Sequence, residues 1–163
     1  MVYENNMQFI NYFFAALVSY SGLLIGILLA KIAPEEQKPL EKYFIFSRKL
    51  LLSAIFVFLV FYFFNNYANL VISIIYVVFL FFIEYRINDS LKKSIIVYQL
   101  LGIIFFLSSK NANLFAIESS LVFLYGLPTA SLIYNKQKKN QNHYKLIFYN
   151  SGFVIITTLL FFV

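Results

Sequence analysis

The stretch YFIFSRKLLLSAIFVFLVFYFF, residues 43–64, decides how the rest of the chain is read. Its two charges, Arg48 and Lys49, lie near the start, and from Leu50 onward it contains only apolar side chains, Ser53 and Tyr62. A membrane span needs about 20 mostly apolar residues to cross roughly 30 Å of hydrocarbon, where only a helix or a closed barrel satisfies the backbone. The run is too long and too continuous for a barrel strand, and it shows no alternation of apolar and polar residues. It is therefore expected to be a transmembrane helix.

Five further runs share this character, at about residues 9–32, 70–87, 94–109, 114–134 and 144–163. The expected architecture is all-α, a polytopic bundle of six spans in a single integral membrane domain covering residues 1–163. Composition agrees: 61% of residues are hydrophobic and 12% charged, against about 25% charged in an average soluble domain. The third and fourth runs are short and are expected to tilt little or to draw flanking Asn and Ser toward the interface. The first run has no basic segment before it and is read as a retained span, not a cleaved signal.

The separators between runs fix an expected orientation. Lys31, Lys38, Lys42, Arg48, Lys49, Arg86, Lys92, Lys93, Lys136, Lys138, Lys139 and Lys145 fall on one side, and Lys110 alone on the other. Short basic loops are retained in the cytoplasm during insertion, so both termini are expected outside and the chain in the cell membrane. The net charge of +6 is then accounted for by topology and by attraction to anionic headgroups on the cytoplasmic side. No interleaving of aromatic and basic residues suggests nucleic-acid binding.

Several chemistries are excluded or disfavoured. The chain has no cysteine and one histidine, His143, placed in a basic loop, so thiolate chemistry, disulfides and multi-histidine metal sites are not expected. No cofactor or metal is expected. Glu35 and Glu36 follow Pro34 in the first basic loop, which suits a short helix start with its acids at the positive end of the dipole. No membrane-protease, phosphate-loop or hydrolase pattern accompanies them. Glu84 and Arg86, two residues apart at the end of the third run, do not face each other on a helix and are expected to anchor that end at the interface.

Arg48, Gln99 and Asn150 are spaced 51 residues apart, each shortly after a basic loop. The period raises the expectation of three repeated helical hairpins, with these side chains at similar depth in a polar cluster open to the cytoplasm. The alternative is that three helix pairs of similar length produce such a spacing without common origin.

Within the spans, Glu118 stands out because an ionisable group in hydrocarbon costs up to about 3 kcal/mol on insertion scales. Lys110, Ser119, Ser120 and tyrosines of other helices are its candidate partners. Glu118, Tyr125 and Thr129 share one helical face, and Gly126 and Pro128 predict a kink near mid-bilayer. In the first span, Ala15, Ser19, Gly22, Gly26 and Ala30 form a stripe of small residues that lets another backbone approach closely, within this chain or in a homo-oligomer.

These features favour a small transporter, channel or subunit of one, with Glu118, Tyr125, Thr129, Gln99, Asn150 and Arg48 on the ion, proton or substrate path. The alternative is a non-catalytic membrane assembly partner. A lipid-headgroup enzyme ranks third, since no spacing selects catalytic residues.

Overall fold

The computed structural model describes residues 8–64, 67–136 and 143–162, with nothing said of the side chains at 69, 72, 73, 135, 136, 143 and 144. The described residues form helices α1 (Phe9–Ile32), α2 (Gln37–Phe63), α3 (Tyr67–Arg86), α4 (Ser90–Ser108), α5 (Ala112–Lys136), α6 (His143–Asn150) and α7 (Gly152–Phe161), with no strand among them. Much of the third basic loop, including Lys138 and Lys139, lies outside the described residues.

Among the described residues four helices are long and apolar enough to cross a membrane: Phe9–Ile32, Gln37–Phe63, Ser90–Ser108 and the Ala112–Tyr134 part of α5. The apolar segment Lys145–Phe161 is shorter. The sixth run is divided at Ser151. There the Ser151 N–H donates to Ile147 O (3.1 Å) and the Ile155 N–H to Ser151 O (3.1 Å), so i to i−4 bonds carry the chain past the break.

One boundary differs from expectation. The helix start predicted at Pro34 falls at Gln37, after a turn at residues 34–36. Pro39 then occupies the first turn of α2, where its missing N–H leaves no intrahelical bond unmade. Residues 37–42, assigned to a loop from their charge, thus extend the helix beyond the apolar run.

Helix α5 is central, packed against α1, α2 and α4, while α4 packs against α7 and α3 lies at the periphery against α2 and α4. The α1/α5 contact is the closest. A Cβ at Gly22 would collide with the Phe123 carbonyl, one at Gly26 would lie 2.7 Å from Leu127 O, and one at Gly126 would lie 2.5 Å from Leu23 N. The small-residue stripe of α1 is therefore filled by α5 of the same chain, and Ser19 Oγ donates to Ser119 O at 3.0 Å across the contact.

Aromatic side chains fill the rest of the interior. Tyr12 packs its ring against Phe105 and Phe115 at centroid distances of 5.3 and 5.7 Å, and Tyr98 packs against Tyr125 and Phe153 at 5.8 and 6.0 Å. Three phenols reach main-chain acceptors on a neighbouring helix: Tyr12 donates to Thr157 O (3.2 Å), Tyr20 to Ile147 O and the half-buried Tyr76 to Leu100 O, so each ties two helices together. The outward faces are apolar, with Phe14, Val18 and Leu28 of α1 and Ile75, Val78 and Phe82 of α3 exposed. Soluble monomers rarely expose such continuous apolar surface, whereas lipid solvates it without penalty.

Candidate functional site

The buried charges Arg48 and Glu84 meet Lys93 where α2, α3 and α4 come together. Consecutive helices α2 and α3 run antiparallel, which brings Arg48, in the first half of α2, beside Glu84, in the last turn of α3. Their side chains are only 6% and 4% exposed and form an ion pair through Arg48 Nη2 and Glu84 Oε1. From α4, Lys93 Nζ donates to the Glu84 main-chain oxygen at 2.6 Å and stands 3.6 Å from Glu84 Oε1. Asp89 caps α4 by accepting from the N–H groups of Leu91 (3.0 Å) and Lys92 (3.5 Å), which fixes the turn that delivers Lys93.

Glu84 is thus a correction to the sequence reading: it is a buried partner of Arg48, not an interfacial anchor. The sequence carried a usable signal, namely opposite charges at matching ends of two consecutive antiparallel helices.

Above this pair a cleft of about 490 Å³ opens, lined by Arg48, Lys49, Glu84, Asn88, Ser90 and Lys93 together with Ile45, Phe81, Tyr85 and Leu132. Tyr125 of α5 lies near both Arg48 and Glu84, and Thr129, one turn further along, adjoins its hydroxyl. The Tyr98 hydroxyl lies against the Gly126 backbone, 2.9 Å from where a Cβ would stand.

Glu118, Val122, Tyr125 and Thr129 are all fully buried and occupy one face of α5. Glu118 lies seven residues before Tyr125, about 10 Å along the helix axis. Neither carboxyl oxygen of Glu118 has a hydrogen-bond partner among the described residues, and the same holds for the hydroxyls of Tyr98, Tyr125 and Thr129. The serines predicted as partners of Glu118 turn elsewhere, since Ser119 and Ser120 donate to Ala116 O at 3.0 and 2.8 Å. Lys110 is exposed, and the ion pairs among the described residues are those of Glu84.

The three residues of the 51-residue spacing occupy different environments. Arg48 pairs with Glu84, whereas Asn150 is fully buried, accepts from Ser94 Oγ at 2.7 Å and donates to Leu146 O at 2.7 Å. Gln99 is exposed, with its side chain lying along Gly152. They do not form one cluster. Helix α5 runs unbroken through Pro128, which is buried between Leu127 and Thr129. No group of three or more His, Cys, Asp or Glu side chains able to hold a metal occurs among the described residues.

The chain matches no family model, no curated protein and no solved structure.

Proposed function

We propose that the chain is a six-span membrane protein with its basic loops in the cytoplasm, and that it is a small transporter, or a subunit of one, moving protons or small cations. A single observation carries this reading: the Glu118 carboxyl is fully buried with neither oxygen hydrogen-bonded, and the buried hydroxyls of Tyr125 and Thr129 continue its face of α5 toward the cleft that Arg48 of α2 lines. In hydrocarbon each unsatisfied polar group costs several kcal/mol, a cost that a purely structural interior would avoid with apolar residues. Glu118 then serves as the ion- or proton-binding carboxylate, Tyr125 and Thr129 as relay hydroxyls, and the Arg48–Glu84 pair as the charged threshold to the cytoplasm.

The test is flux of protons and small cations into proteoliposomes, comparing the native chain with Glu118→Gln at equal insertion. Flux that depends on Glu118 supports the reading, and flux equal in both chains removes Glu118 from the path. A second reading, a non-catalytic assembly partner, draws on the peripheral position of α3 and its exposed Ile75, Val78, Phe79 and Phe82. It expects no flux from either chain and co-purification of a second membrane protein.

A further inference from the structure

We infer that the cleft at the basic ends of α2, α3 and α4 binds a phosphate-bearing anion, and that its source is the headgroup of an anionic lipid. The site shares Arg48 and Glu84 with the path proposed above, but lipid retention is measured without flux, so either reading can fail while the other stands.

Three cations, Arg48, Lys49 and Lys93, line the cleft against one carboxylate, that of Glu84. An ion pair alone would leave the cleft neutral, so the excess positive charge requires an anion or bulk solvent. Arg48 is only 5% exposed. Its Nη2 is committed to Glu84, but Nε and Nη1 have no partner among the described residues. These donors are closed off beneath the cleft, so the guanidinium acts on an anion there through its charge, which Glu84 answers on one side only and which is costly to leave unbalanced away from water.

The other cations differ in role. Lys93 is held by Glu84 and contributes chiefly charge. Lys49 is exposed at the lip and free to reach a phosphate from the solvent side. Asn88 and Ser90 add neutral donors at the start of α4.

The apolar lining separates a lipid from a free phosphate. Ile45 and Phe81 border the same cleft, and Phe81 is 39% exposed on the outer face of α3. A ligand with an anionic head and an apolar tail meets both surfaces, whereas inorganic phosphate uses only one. The volume of about 490 Å³ lies within the range of about 300–1,000 Å³ usual for small-molecule sites, and basic pockets between membrane helices on the cytoplasmic side are suited to anionic headgroups.

The experiment is native mass spectrometry of the purified full chain titrated with phosphatidylglycerol or with phosphatidylcholine of identical acyl chains, with and without inorganic phosphate. Two variants accompany it: Lys49→Gln, at an exposed position, and the charge-balanced double variant Arg48→Gln/Glu84→Gln. Phosphatidylglycerol is expected to be retained in preference to phosphatidylcholine, and Lys49→Gln to weaken that retention about fivefold, corresponding to about 1 kcal/mol per basic residue near a membrane surface. The double variant, where it folds, is expected to lose most of the preference. Displacement of the lipid by millimolar phosphate would support the anion site and assign it to soluble phosphate compounds, while retention in its presence supports the lipid. Equal retention of the two lipids by the native chain overturns the proposal. Unchanged retention in Lys49→Gln also overturns it, whatever the double variant does.

Discussion

Arg48 and Glu84 meet across α2 and α3 with their side chains 6% and 4% exposed, so their charges answer one another with little help from solvent. Breaking such a pair on one side leaves an uncompensated buried charge, which costs about 3–5 kcal/mol, whereas removing both charges is often neutral. Glu84→Gln, which strips the buried Arg48 of its carboxylate, is expected to destabilise the chain by roughly that amount, and Arg48→Gln by less, because Lys93 still stands 3.6 Å from Glu84 Oε1. The double variant is expected to be more stable than either single one. Unfolding of the four proteins in one detergent measures the coupling, and additive effects would mean that the pair is not made in solution.

The α1/α5 contact makes a sharper prediction, because its glycines have no room to give. A methyl group at Gly22 meets the Phe123 main chain and one at Gly126 meets Leu23 N and Gly22 C, and backbone cannot swing aside as a side chain can. Gly22→Ala and Gly126→Ala are each expected to cost about 1–3 kcal/mol by overpacking. Gly152→Ala is the control: its new methyl would meet only the side chain of Gln99, at 3.3 Å, and is expected to be near neutral. Thermal unfolding in detergent distinguishes the two classes.

The legible and illegible parts of the fold divide along physical lines. Helices and the burial of Gly22 and Gly26 could be read because length, apolarity and small-residue spacing are local properties. Which helix received the stripe could not, since partner choice depends on shape complementarity between α1 and α5, which three other helices separate in the chain. The shared face of Glu118, Tyr125 and Thr129 follows from helical periodicity alone, and all three are fully buried. Gln99 and Asn150 show the limit of periodicity: helix rotation, set by packing, turns one outward and the other onto Ser94.

Orientation can be tested directly because the chain has no cysteine, so each introduced thiol is the only one present. In the six-span arrangement, Lys110→Cys is expected to react with an impermeant maleimide added outside intact cells, and Lys38→Cys and Lys92→Cys only after permeabilisation. All three positions are exposed. Lys92 is the informative site, because if α3 did not cross the bilayer, α4 would start on the outer side and reverse the pattern at Lys92 and Lys110.

The last prediction concerns what Glu118 contributes besides packing. A fully buried carboxyl with neither oxygen hydrogen-bonded opposes folding, since an unsatisfied buried polar group costs about 1–3 kcal/mol. Glu118→Leu replaces it with an apolar side chain of similar reach, in a helix already lined there by Leu114 and Val122. The variant is expected to be more stable than the native chain by about 1–3 kcal/mol, and to lose the flux proposed above. Sites that sacrifice stability for activity behave this way. A structural Glu118, with a partner the helices supply on relaxation, would give the opposite sign: Glu118→Leu would unfold at lower temperature. Stability and flux measured on the same preparation therefore separate a working carboxylate from an architectural one.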